Sequence, residues 1–409
     1  MAGGALHDVT LGYQLLWNAA REVAGVQLVL EPHGDDTPDV AYLLKTLAAL
    51  WDTHAVPLIL STNSSTLLAG LLDQTPPALA RLAVTDTLLQ NPVITPRVHQ
   101  ARQRGLALLW RGEPGAHPRP AYAACFIQTL LSLSTEEALL CLRVCRHRQD
   151  GGRPTPGLVS PVRAGQIYEG LASRALAQHG LDEQNAAALL GWPAEDVLHN
   201  YGASRIQPGQ PVIRQLIRAI HADAGMDEMA QLLGQDPMLA YRFLRYMNSA
   251  GLGLNRDITS LHHGLMVLGL SRLKAWLLEQ LPHASTDLNL QPIRAMMVLR
   301  AQCMAELLEA GESEALKREL YLCGLLSQMD GLLGEPLASA LHALALPERV
   351  TAALLDHRGP YWPYLEMAEA LETPNTTHTR AVCATHGFEA AAVNLALLRT
   401  LAAWRPQPA

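Results

Sequence analysis

Two hydrophobic rhythms meet at Pro208-Gly209-Gln210-Pro211, and one layered fold does not accommodate both. Before this point short apolar, β-branched runs at residues 26–30, 56–60, 82–85 and 106–110, with a weaker one at 123–127, alternate with amphipathic stretches such as 40–51. That alternation predicts a parallel sheet of βα units, either doubly wound or closed as a barrel. Beyond it only helical periodicity remains. Pro211 suits a first helical turn, with Val212, Ile213, Leu216, Ile217 and Ile220 on one face and Arg214 and Arg218 on the other. Asp236 is placed to cap the next helix but one, with Pro237 at its first position. Ser260 is placed to cap residues 261–268, which Gly269 ends in the left-handed conformation. The fold class expected is therefore α/β plus all-α: residues 1–207 an α/β domain, 208–405 a helical domain including the C-terminal helices, and 406–409 a tail.

The chain has 409 residues, 49% hydrophobic and 17% charged, which is enough for two domains with proper cores. A formal charge of −7 and a pI near 6.1 give no general attraction to nucleic acid or to an anionic membrane, which leaves proteins or small molecules as the expected partners. There is no basic segment followed by an apolar core at the N-terminus and no apolar run long enough to span a bilayer, so the expected location is the cytoplasm. The six cysteines lie mostly inside apolar runs, as reduced core thiols do.

Gln235-Asp236-Pro237, Tyr246-Met247-Asn248-Ser249-Ala250, Ile258-Thr259-Ser260 and Val267-Leu268-Gly269 resemble, in order and spacing, the QDP, NSA, ITS and LG signatures of the HDOD domain. Arg300-Ala301, Gly324-Leu325-Leu326-Ser327, Leu354-Leu355 and residues 369–372 resemble the tail of proteins in which this domain follows an EAL-like one, the YuxH-type EAL–HDOD signalling proteins. The resemblance implies a degenerate EAL-like (βα) barrel followed by an HDOD helical bundle, and a role in bacterial, cyclic di-GMP-linked signal transduction as a scaffold for regulatory protein partners. Read without the family, Asp236-Pro237 is a helix-start device, and Asn248, Ser249 and Ser260 are residues that bond local backbone. A structural lock at helix junctions is the reading they favour over a ligand site.

An EAL-type phosphodiesterase holds two metal ions with carboxylates, because attack on a phosphodiester needs an activated water and neutralised oxygens. The resemblance sets Gln14, Ala83, Arg111 with Gly112, and Ser160 with Arg163 where those ligands are expected, and His199-Asn200-Tyr201 where a QG-plus-aromatic motif is expected. An amide binds hard cations weakly, and a guanidinium repels them. In the HDOD half, Ser327 and Gln328 resemble replacements of the His-Asp pair of related phosphohydrolases. Asp86, Glu113, Asp330 and His357 remain as isolated candidates for a residual phosphohydrolase. Neither metal nor cofactor is therefore expected. His262-His263, and Cys141, Cys145 and His147, read as ordinary helix residues for want of further ligands. Candidate ligand or partner contacts are Arg111 and Arg163 for a cyclic dinucleotide, the basic Arg242, Arg245 and Arg256, and the aromatic Tyr361 and Trp362.

Overall fold

The computed structural model describes residues 4–34, 38–149, 158–202, 205–252, 258–308 and 311–404. The chain divides into two compact units, Met1–Asp196 with Ala370–Gln407, and Val197–Glu369.

The first unit is a barrel. Its strands are β1 (Val9–Trp17), β2 (Val23–Pro32), β3 (Leu58–Ser61), β4 (Arg81–Thr85), β5 (Leu108–Arg111), β6 (Gln128–Ser132), β7 (Ile167–Glu169) and β8 (Ala188–Leu190). They close in sequence order, β1 running antiparallel to both its neighbours and the other pairs parallel. This settles the choice between an open sheet and a barrel. Leu16, Ile59, Ala83, Leu109, Leu130, Ile167, Ala188 and Leu190 form one buried cluster to which seven of the eight strands contribute, so the interior is a packed core and not a pore. On five strands the same face continues one pleat further, through Ser61, Thr85, Arg111, Ser132 and Glu169, and these strand ends form the mouth.

Three expected elements moved. The weaker run at 123–127 is not a strand; β6 begins only at Gln128. The region 158–164, read as a strand, contains none: Pro161 withholds a backbone donor, Val159 lies exposed, and Gly165 turns the chain with a φ of 75° just before β7. The C-terminal helices, expected with the bundle, belong to the barrel unit. Their position answers a need of β1, which pairs with β8 only at Leu16 and Trp17 and so lacks a strand partner along Val9 to Tyr13 on that side. Asn394, on the Ala390–Ala403 helix, replaces the missing strand. Its Oδ1 accepts from the Leu11 N–H (3.1 Å), and its Nδ2 donates to the carbonyls of Val9 (2.7 Å) and Leu6 (2.9 Å). Gly12 permits the close approach, since a Cβ there would lie 2.4 Å from the Thr373 carbonyl oxygen.

The second unit is helical, as expected. Gln210–His221, Met226–Gly234, Pro237–Met247, Leu261–Leu268 and Leu270–Gln280 are followed by Gln291–Glu306, Glu314–Leu326 and shorter helices to Glu348–Asp356. Phe243 meets Trp276 edge-on at 5.6 Å, and Tyr246 stacks on the same indole. Asp236 and Ser260 cap their helices through Leu239 N–H (2.8 Å) and His263 N–H (3.2 Å). Gly269 departs from the expected left-handed end: φ 75° with ψ 157° is extended backbone of the mirror kind, which only glycine enters readily, and it passes the chain straight into the next helix. No helix among the described residues is long and apolar enough to cross a membrane.

Candidate functional site

At the barrel mouth Arg111, the last residue of β5, forms a two-point ion pair with Glu169, the last residue of β7. Its Nε lies 3.1 Å from Oε1 and its NH2 nitrogen 2.7 Å from Oε2. Ser132, ending β6, donates to Glu169 Oε1 at 2.7 Å. Three neighbouring strand ends thus converge on one carboxylate. Fork-to-fork geometry of this kind is the strong form of the Arg–carboxylate pair. Glu169 is 15% exposed and Arg111 31%, so solvent screens the pair only in part.

Glu169 escaped the sequence reading. Strand β7, Ile167–Glu169, places an acid at the mouth, later in the chain than the 158–164 segment that was set against the AEGVE-like motif. Ser160, taken to replace that motif's acid, lies outside the strands, where its Oγ is 2.8 Å from His179 Nε2. Likewise β8 runs into Gly191-Trp192, and the segment proposed for the glycine-plus-aromatic motif, His199-Asn200-Tyr201, lies in the second unit. Arg163 does not join Arg111: its guanidinium is 3.3 Å from His117 Nε2.

Gln14 lies on β1 across from Gln27 of β2, a second interior amide, which donates to Ser61 Oγ (3.1 Å) and whose Oε1 has no hydrogen-bond partner in the structure. Ala83 belongs to the packed core. Gly112 is required by Trp110, whose ring would lie 2.0 Å from a Cβ at that position. Asp86 sits in the first turn of the Asp86–Leu89 helix and Glu113 is exposed, so neither joins Glu169 in a cluster.

In the second unit Asp236 does more than cap a helix. It is fully buried; Oδ1 takes the Leu239 N–H, while Oδ2 accepts from Gly209 N–H at 2.7 Å and lies 3.2 Å from Arg294 Nε. Arg294 in turn donates to the Gln207 carbonyl (2.6 Å). The Nε–H is not aimed well enough for a hydrogen bond, so the contact is charge pairing. Asn248 clamps another junction: Nδ2 donates to the carbonyls of Leu244 and Ile258, and Oδ1 accepts from Ile258 N–H, each at 2.9 Å. Ser249 donates to the Tyr246 carbonyl (2.7 Å). These bonds of Asp236, Asn248 and Ser249 join backbone or a buried charge, which is how a structural lock behaves.

A guanidinium also lies beside Ser327, which the sequence reading set against a His-Asp pair. Buried Arg300 donates to Ser327 Oγ (3.0 Å) and Glu369 Oε1 (2.9 Å) through one nitrogen. Gln328 and Asp330 are exposed. Burial in this neighbourhood, with Glu369 nearby, pushes the Cys323 thiol up to about 12. His357 caps a helix end at φ 53° and stacks on Trp362 at 4.5 Å. Tyr361 is buried, its hydroxyl donating to Glu319 (3.0 Å), which also holds Arg349. His262 lies 3.3 Å from Asp227, and His263 occupies the helix's first turn. Arg242 is held by Gln280 and Gln207 (3.0 and 2.6 Å) and Arg245 is exposed, while Arg256 lies outside the described residues.

The HDOD domain model matches residues 208–357. This segment is an HDOD domain. The order of a barrel followed by an HDOD domain is the one expected from the signature residues. Among curated proteins the chain is similar to the uncharacterized protein YuxH of Bacillus subtilis, 27% identical over 154 residues, 36% of each chain. It is also similar to the cyclic di-GMP phosphodiesterase CdgJ of Vibrio cholerae, 22% identical over 185 residues, 45% of this chain and 43% of that one. The matches thus span less than half the length of either relative. Among solved structures, the MmoQ response regulator of Methylococcus capsulatus matches with TM-score 0.35 and 16% identity over 47% of this chain and 98% of its own. The PaMucR phosphodiesterase in complex with c-di-GMP matches with TM-score 0.30 and 12% identity over 45% and 89%. Likeness at that level adds nothing to the strand order itself.

Proposed function

We propose that this chain is a non-catalytic bacterial signal-transduction protein, working by protein–protein interaction through its HDOD domain and an inactive EAL-like barrel. The Arg111–Glu169 pair is the observation that carries this reading. A divalent ion at Glu169 would have to displace a guanidinium that already satisfies both carboxylate oxygens, and would then stand beside its positive charge. Arg300 plays the corresponding part against Ser327 and Glu369 in the HDOD domain. Losing the metals removes both the activated water and the neutralisation of phosphate oxygens, so binding is the activity left.

A second reading, a cyclic di-GMP receptor without hydrolysis, draws support from a partly exposed guanidinium at the mouth, since Arg suits phosphate. A residual phosphohydrolase rests on Glu169 and on what CdgJ is named for. One assay separates them. Full-length protein incubated with magnesium or manganese and cyclic di-GMP yields no linear dinucleotide by chromatography; product formation that E169Q abolishes would refute the proposal. Calorimetric titration of the nucleotide, with no heat for a pure partner-binding protein and a saturable isotherm lost in R111A for a receptor, decides between the first two.

A further inference from the structure

We propose that Cys145, His179 and Glu183 form a binding site for a zinc-class divalent cation on the outside of the barrel, separate from the mouth. One sulfur, one ring nitrogen and one carboxylate oxygen lie within 4.8 Å of one another, a donor set of the mixed soft and hard kind that zinc takes. The sequence reading weighed Cys141, Cys145 and His147 and set them aside for want of further ligands. The fold instead brings Cys145, on the Thr135–Gln149 helix, against a π-helical turn at His179–Glu183, and turns of that rare type frequently mark functional sites. That turn carries Glu183 back under the His179 ring, with Nδ1 and Oε2 2.8 Å apart.

Ser160 completes the arrangement from the other side of the ring. Its Oγ lies 2.8 Å from His179 Nε2 and accepts from the Val162 N–H at 3.1 Å. The Glu183 carboxylate beside Nδ1 marks that nitrogen as the proton carrier in the metal-free protein; a metal at Nδ1 takes the proton's place, and Ser160 Oγ then accepts from Nε2–H, the usual arrangement behind a ligating histidine. A water can supply a fourth donor, since Cys141, one helical turn before Cys145, lies outside the group of donor atoms within 4.8 Å of one another. Charge also balances: a thiolate and a carboxylate neutralise a dication, and Arg148, on Glu183 at 2.7 Å, is half exposed and free to turn outward. Cys145 binds as the thiolate, so binding a metal releases its proton.

Cobalt(II) titration of the full chain tests the site. The expected result is one equivalent bound, with a thiolate-to-cobalt charge-transfer band and tetrahedral visible bands, both displaced by zinc. C145S removes the charge-transfer band, S160A weakens binding about 10- to 100-fold through the ring's lost partner, and C383S changes neither. Circular dichroism confirms that each variant is folded. Binding unaltered in folded C145S and E183Q would overturn the proposal, as would no cobalt held against a weak chelator. Labelling of Ser160 by a fluorophosphonate without any cobalt band would overturn it as well, and would give the Ser160–His179–Glu183 chain a nucleophile's role instead.

Discussion

Replacing Asp236 with alanine lowers the stability of the HDOD domain by about 3–5 kcal/mol, the cost of leaving a buried charge without its partner. The variant removes the cap acceptor for Leu239 N–H, the acceptor for Gly209 N–H and the counter-charge of Arg294 together. Hydrogen exchange reads the loss locally: protection in Gln210–His221 and Pro237–Met247 falls at least about a hundredfold, while the barrel strands hold theirs. D236N keeps a cap acceptor but strands Arg294, so it is also destabilising. D236N combined with R294M recovers most of the difference, because an apolar side chain of similar length brings no charge to compensate. Equal protection in D236A and wild type would show that the lock is ornamental.

Replacing Asn394 with alanine costs the barrel about 3–5 kcal/mol. Three backbone groups, Leu11 N–H and the carbonyls of Val9 and Leu6, lose their partner in a buried place, each at about 1–3 kcal/mol less whatever entering water restores. N394D separates the roles, since a carboxylate accepts from Leu11 but cannot donate to either carbonyl. It is expected to fall as far as the alanine variant. A urea midpoint unchanged in both would mean that the β1 edge is satisfied some other way.

Local chemistry was legible in the sequence, and long-range chemistry was not. The caps at Asp236 and Ser260 follow from a turn-forming residue next to a helical stripe, and both were found where expected. The same sequence gave no sign that Asp236 reaches Gly209 and Arg294, because no periodicity links a cap to a helix so far along the chain. In the barrel, the compact apolar runs of β2, β3, β4 and β5 were visible. The three-residue strands β7 and β8 were not, since three residues are too few to show a period of two. That shortfall hid Glu169, the acid that Arg111 neutralises. Arg111 itself was singled out, because a cation where a metal ligand is expected is informative by itself. The C-terminal helices were assigned to the bundle since amphipathicity tells which face is buried but not what it covers.

The most direct test of the charge argument is manganese binding at the mouth. Electron paramagnetic resonance of free manganese(II), titrated with the full-length protein, is expected to show no loss of signal that depends on Glu169, with wild type and E169Q superimposable. Two manganese ions withdrawn per chain in wild type, and released in E169Q but not in C145S, would contradict the account.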